Sequence, residues 1–148
     1  MQLIEGKKVS EQILSEIAQE VEARIASGKK RPHLAAILVG TDPASETYVA
    51  SKVKTCKQIG FESTEIRLDA SATEAEVLDY IRSFNSNSEI DGILVQLPLP
   101  KHIDETKVIN TIHPNKDVDG FHPSSVGKMV LGQPTFVSAT PNGIMLML

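Results

Sequence analysis

Cysteine occurs once, at Cys56, so no internal disulfide can form and nothing points to an oxidising compartment. No apolar run approaches the ~20 residues that cross a bilayer, and the opening Met1-Gln2-Leu3-Ile4-Glu5 lacks the basic and apolar regions of a signal peptide. A cytoplasmic protein without membrane contact is the expectation. Basic charge is in short supply too: 15 Lys and Arg against 19 Asp and Glu leave a formal net charge of −4. Nucleic-acid partners are therefore not expected, because binding them needs a basic face that displaces phosphate counterions. The one basic cluster, Lys29-Lys30-Arg31, falls at a helix end and reads as a solvated terminus favoured by the dipole. The nine glycines form no G-x-G-x-x-G and no G-x-x-x-x-G-K-[ST], so the chain offers no recognisable turn for dinucleotide or triphosphate phosphates. His33, His102, His113 and His122 show no metal-ligand spacing, and with a single cysteine no metal site is expected. The chain also lacks internal repeats and low-complexity segments.

What is present is one domain's worth of chain, 148 residues, organised around Asp91-Gly92-Ile93-Leu94-Val95-Gln96-Leu97-Pro98-Leu99-Pro100. Ile93, Leu94 and Val95 without polar interruption predict a strand buried on both faces, as in a parallel sheet. Gln96 ends the run, and the two prolines predict an extended exit from the sheet. A polar amide is thus held at the carboxyl end of a central strand, where ligands sit in open α/β sheets.

Upstream, Ile13, Ile17, Val21 and Ile25 recur every four residues from Val9, which predicts an amphipathic helix stopped at Ser27-Gly28. His33 to Val39 reads as a buried strand, and Asp42-Pro43 caps a second helix from about Ala44 to Ile59. A strand from Phe61 to Leu68 follows, and the capping box Thr73-Glu74-Ala75-Glu76 opens a third helix with Val77, Ile81 and Phe84 inward. Asn85 to Ser88 reads as a loop. This alternation predicts a three-layer α/β fold, a mostly parallel sheet with helices on both faces. Beyond Pro100, Asp104 caps a short helix through Ile109, and His113 to Pro123 is too rich in turn formers for a regular element. A loop of that length is more often functional than idle. Thr140-Pro141 reads as a cap and first turn, and the apolar ending Ile144-Met145-Leu146-Met147-Leu148 suggests a truncated chain.

Ser45, Tyr48 and Lys52, three and four apart, share one face of the second helix near the edge that holds Gln96. A lysine partly withdrawn from water can shuttle protons near neutral pH, and a tyrosine one turn away can share the proton. A surface lysine beside a half-buried tyrosine is the plainer alternative. Asp117 and Asp119 lie in the irregular loop, where a carboxylate can accept hydrogen bonds from an amino-pyrimidine edge or merely stabilise a turn.

Three blocks, Val39 to Lys52, Gly92 to Pro100 and Lys116 to Pro123, together resemble the bifunctional methylenetetrahydrofolate dehydrogenase/methenyltetrahydrofolate cyclohydrolase family, in that family's order. The resemblance extends from the first helix to Thr140-Pro141-Asn142-Gly143-Ile144. It implies a folate-binding catalytic domain over residues 1–140, the start of an interdomain helix over 141–148, and a Rossmann domain carrying NADP that is absent here. It further implies that Lys52 transfers protons and that Tyr48 stacks near the pterin or aminobenzoyl rings. Gln96 orients the amine, Asp119 binds the pterin's amino-pyrimidine edge, and Ser45 and Pro98 supply further substrate contacts. The implied substrates are tetrahydrofolate derivatives of one-carbon metabolism, which serve purine, methionine and histidine biosynthesis, and the implied assembly is a homodimer. Hydride transfer from the methylene bridge to nicotinamide needs the carbons on the order of 3 to 3.5 Å apart, which one domain cannot arrange alone. Family members commonly show proline and cysteine where this chain has Ser138 and Ala139, which bears on any cleft contact made there.

Two other readings compete. A folate-binding fragment without turnover would carry the same residues. A short-chain dehydrogenase would share Tyr48-x-x-x-Lys52, but the glycine-rich turn is missing and the residues before Tyr48 are too few for a nucleotide-binding half.

Overall fold

The apolar run His33–Val39 forms β1, the middle strand of a three-stranded sheet, in a computed structural model that describes residues 5–148. The signal-peptide reading of Met1 to Ile4 lies outside the described residues. Strands β2 (Glu62–Leu68) and β3 (Gly92–Val95) flank β1, both parallel to it, in the order β2-β1-β3. Register runs from His33↔Glu62 to Val39↔Leu68 on one side and from Leu34↔Gly92 to Ile37↔Val95 on the other. The chain steps from β1 to β2, then crosses back over β1 to reach β3. The order therefore reverses between β1 and β3, which is where open sheets leave a crevice at their carboxyl edge.

Six α-helices accompany the sheet among the described residues: α1 (Gly6–Ala26), α2 (Pro43–Gln58), α3 (Glu74–Ser86), α4 (Glu105–Thr111), α5 (Pro123–Val130) and α6 (Ala139–Met147). The period-two alternation of β1 sorts the core into two layers. Ala35, Ile37 and Val39 meet Val77, Leu78, Ile81 and Phe84 of α3 and Val108 of α4. Ala36 and Leu38, with Leu94 of β3, meet Val49 and Val53 of α2 and Val118. Full burial of each such side chain is worth about 1.5–3 kcal/mol. The expected three-layer α/β architecture is the one observed. No helix of the described residues is long and apolar enough to cross a membrane.

The helix starts follow from their caps. Asp42 accepts the Ser45 N–H at 2.8 Å with Pro43 in the first turn of α2, and Thr73 and Glu76 exchange the reciprocal bonds of a capping box at α3. α6 begins at Ala139, one residue before the expected Thr140 cap, because a proline fits anywhere in a first turn whose N–H groups have no partner inside the helix. Asn85 and Ser86 belong to α3 rather than to a loop. The chain does not leave β3 extended. Gln96 N–H continues the ladder to Ile37 O at 2.9 Å, and the backbone then bends at Leu97 and Pro98, with a cis Leu97-Pro98 bond.

The basic cluster after α1 is not simply solvated. Lys30 Nζ donates to Ser88 O at 2.7 Å and pairs with Asp91 at 3.0 Å, while Arg31 Nη1 donates to Gly60 O at 2.9 Å. These bonds tie the entry to β1 to the loops before β2 and β3.

Gly92 shows how closely the loop after α4 rides on β3. A Cβ there would lie 2.5 Å from Val118 Cγ1. Gly92→Ala is expected to destabilise by about 1–3 kcal/mol through overpacking. Urea denaturation should show a lower midpoint at unchanged slope, and an unchanged midpoint would contradict this packing.

Candidate functional site

α2 begins where β1 ends, at the carboxyl edge of the sheet. Gly40, at φ 83°, turns the chain out of the strand in a region only glycine enters freely. Val49 is fully buried against the sheet and fixes the rotation of α2. That rotation sends Tyr48 and Lys52, one turn apart, toward the β1–β3 crevice. Lys52 is half-buried, and its Nζ donates to Gln96 Oε1 at 3.3 Å. The other end of the same amide, Nε2, donates to Leu97 O at 2.7 Å. A carbonyl can only accept, so this second bond sets which way the amide points and leaves its oxygen for the lysine.

The third group comes from the irregular loop. After a 3₁₀ turn over Pro114–Lys116, Asp117 makes a parallel bridge to Ile93, on the edge of β3 away from β1. Asp117 is 2% exposed and does not face a cleft. Its carboxylate accepts from the backbone N–H groups of Gly120 at 3.1 Å, Phe121 at 3.4 Å and His122 at 2.9 Å, and from Ser125 Oγ at 2.7 Å. The turn-stabilising role thus belongs to Asp117. Asp119, two residues on, lines the cavity beside Val95. Burial pushes its carboxyl above the ordinary value, with the Lys52 charge opposing that rise and the Asp117 charge adding to it.

Tyr48, Lys52, Gln96 and Asp119 line one open hollow of about 380 Å³, within the range of small-molecule sites. Val95, Leu97 and Phe121 complete its walls, and Ser138, Ala139 and Thr140 close one side. The sequence reading missed Phe121. It also gave no reason for the last three to approach, although it singled out Ser138 and Ala139 as departures from the family. They are held there by a close crossing: Gly120, at φ 70°, lies so near the following segment that a Cβ would sit 2.7 Å from Phe136 O. Tyr48 is 62% exposed, so its ring stands at the mouth of the hollow.

Two further candidates lie elsewhere. Ser45 is 3% exposed and absent from the lining. Its N–H, and second its hydroxyl, hold the Asp42 carboxyl below the usual range. Pro98 is exposed beyond the bend, which gives Leu97 rather than itself to the lining. All four histidines serve the fold. His33 bonds to Thr64 Oγ1, His102 to Ala72 O, and the Nδ1 atoms of His113 and His122 accept the N–H groups of Asn115 and Ser124.

A crevice at the reversal point of a parallel sheet, lined by an ammonium, an amide and a carboxylate from three segments, defines an α/β small-molecule-binding domain of the open-sheet class. Residues 4–119 match the family model of the tetrahydrofolate dehydrogenase/cyclohydrolase catalytic domain, and the chain belongs to that family. It is 60% identical over 148 residues to the bifunctional protein FolD of Phocaeicola vulgatus and 59% identical to that of Bacteroides thetaiotaomicron. All of this chain is covered in both cases and 50% of the relative, so the chain spans about half the length of the curated relatives it matches. The bifunctional FolD enzyme of Campylobacter jejuni superposes with a TM-score of 0.96 at 42% identity, over 100% of this chain and 52% of that one. The Trypanosoma brucei enzyme, solved with NADP cofactor and an inhibitor, superposes with a TM-score of 0.92 at 31% identity, over 97% of this chain and 50% of that one.

Proposed function

We propose that this chain is the folate-binding catalytic domain of a bifunctional enzyme. That enzyme oxidises 5,10-methylenetetrahydrofolate to 5,10-methenyltetrahydrofolate and hydrolyses the latter to 10-formyltetrahydrofolate. The observation that carries the reading is the Lys52 to Gln96 hydrogen bond at 3.3 Å, lying in the same hollow as Asp119. In this reading Asp119 accepts from the amino-pyrimidine edge, and Tyr48 stacks on a ring at the mouth. Lys52 takes one proton of the water that adds to the methenyl carbon, then returns it to N5 as the C–N5 bond breaks, while the remaining hydroxyl proton passes to solvent as the formyl C=O forms. Gln96 holds the amine in line. Ser45 and Pro98 support the site from behind, through the α2 cap and the bend after β3.

Oxidation of the methylene bridge requires NADP as hydride acceptor, and this chain does not fit that cofactor's phosphates. The turn from β1 into α2, where a dinucleotide fold offers free backbone N–H groups, is occupied by the Asp42 carboxylate, which would also repel a phosphate. The same feature disfavours a short-chain dehydrogenase. We place NADP on a further domain, with residues 1–140 as the folate half and 141–148 as the start of the connecting helix. A cytoplasmic homodimer supplying one-carbon units for purine, methionine and histidine synthesis accords with the family. The alternative, folate binding without turnover by this chain alone, is favoured by the open hollow and its exposed Tyr48, since hydrolysis profits from water exclusion. Calorimetric titration beside a hydrolysis assay separates the two: heat without turnover selects the alternative.

Asp119→Asn tests the reading directly. Affinity for a reduced folate should fall by roughly 10- to 100-fold, the worth of about 1.5–3 kcal/mol for hydrogen bonds to a charged group. Stability should move the other way. Because the folded carboxyl titrates above its unfolded value, the folded state binds more protons between the two, and unfolding free energy drops as pH rises through that window. At pH 7 the asparagine variant should therefore melt higher than wild type, and the gap should close on acidification toward pH 4. A variant that binds folate as well as wild type sinks the assignment of Asp119.

A further inference from the structure

Lys116 stands outside the hollow, half-buried beneath the loop that carries Asp119. Its Nζ donates to Phe84 O at 2.8 Å and to Asn87 O at 2.7 Å, two carbonyls at the carboxyl end of α3. Each carbonyl already accepts one backbone N–H, Phe84 O from Asn87 at 3.3 Å and Asn87 O from Ile90 at 3.2 Å, so the ammonium bonds their remaining lone pairs and meets the partial negative charge of the helix end. Asn85, on the same last turn, clamps the same connection: Nδ2 donates to Thr111 O at 2.7 Å and Oδ1 accepts the His113 N–H at 2.9 Å. Lys30 covers the neighbouring Ser88 O and pairs with Asp91, so the charges around Lys116 are one like and one opposite.

These bonds meet the chain immediately before Asp117, at the point where the loop joins the edge of β3. Downstream of Asp117 the loop is tied by the buried carboxylate network, and upstream it is tied by Lys116 and Asn85. Asp119 lies within the downstream span, three residues from Lys116. We propose that Lys116 is a positioning residue for the folate site, which sets the height of the Asp119 carboxylate by anchoring its loop to the carboxyl end of α3. This rests on the folate reading above and adds to it a group that never touches the ligand.

The test uses the full chain and two probes: 5-formyltetrahydrofolate, and the same compound with hydrogen in place of the 2-amino group. Lys116→Met keeps the aliphatic stem and removes the donor. It should weaken binding of the amino compound on the order of tenfold, as small misplacements of binding groups do, and of the desamino compound by less than about threefold. Combined with Asp119→Ala it should add almost nothing, since the lysine acts through that carboxylate. Lys116→Arg should restore most of the affinity, and Lys116→Gln, which keeps an amide NH₂ but no charge, should fall between and serves if the methionine variant does not refold. Equal losses for both probes, additive losses in the double variant, or no loss in either substitution overturn the role of Lys116. Wild type that binds neither probe overturns the folate reading, and this proposal with it.

Discussion

Lys52→Ala is expected to slow hydrolysis of 5,10-methenyltetrahydrofolate by about 10²–10⁴-fold, the span that general acid–base groups contribute. The effect should fall on kcat far more than on KM. Lys52 meets the protein through one long hydrogen bond to Gln96 Oε1, and binding of the pterin edge is assigned to Asp119. The substitution should leave the fold intact, because the position is a half-buried helical one and alanine is the strongest helix former. An unchanged melting temperature beside the lost rate would separate chemistry from structure. Lys52→Arg is the sharper control. A guanidinium keeps a positive charge but does not release its proton near neutrality, so arginine should leave KM close to wild type and fail to restore the rate. Equal hydrolysis by wild type and Lys52→Ala, measured in whatever length of the protein turns over, would remove the lysine from the mechanism.

Asp117→Ala is expected to be the most damaging single change to stability, costing about 3 kcal/mol. The carboxylate is 2% exposed and accepts four hydrogen bonds, three of them from consecutive backbone N–H groups. Each donor left unsatisfied in a buried place costs about 1–3 kcal/mol, and water entering the vacated space recovers part of the sum. Asp117→Asn should be little better, since it turns an amide NH₂ toward groups that are themselves donors. Reduced-folate affinity should fall in the same variants, because the network holds the turn on which Asp119 sits. Urea unfolding at pH 7 measures the first effect and calorimetry the second. A stability change under about 1 kcal/mol would mean that the four bonds are not the ones that hold this loop.

The comparison of Asp117 with Asp119 shows where sequence reading reaches its limit. Both lie in the same turn-rich loop, two residues apart, and residue type alone cannot say which one turns inward. That is decided by the bridge between Asp117 and Ile93, a long-range contact with no local signature. Elements carried by local chemistry were readable: the Asp42-Pro43 start of α2, the Thr73–Glu76 capping box, and the uninterrupted apolar runs of β1 and β3. α5 was not, because its cap is the Nδ1 atom of His122 rather than one of the usual short polar side chains. The approach of Ser138 to Thr140 was equally hidden, since it depends on the backbone crossing at Gly120. Lys52, Gln96 and Asp119 could be selected together only because three separate blocks resembled one family, and the structure brings all three to one hollow.

The two sides of the sheet carry unequal obligations. The larger layer, beneath α3 and α4, reaches the hollow through Val95 and Leu97, and the rest of it can drift in sequence so long as its volume is kept. The smaller one is a spacer: Val49 and Val53 bracket Lys52 along the helix, Val118 adjoins Asp119, and Ala36, Leu38 and Leu94 fill the gap between. The separation of Lys52 from Asp119 is therefore metered by the girth of a few aliphatic side chains. A methyl group gained or lost there should retune the proposed reaction without touching any residue proposed to take part in it.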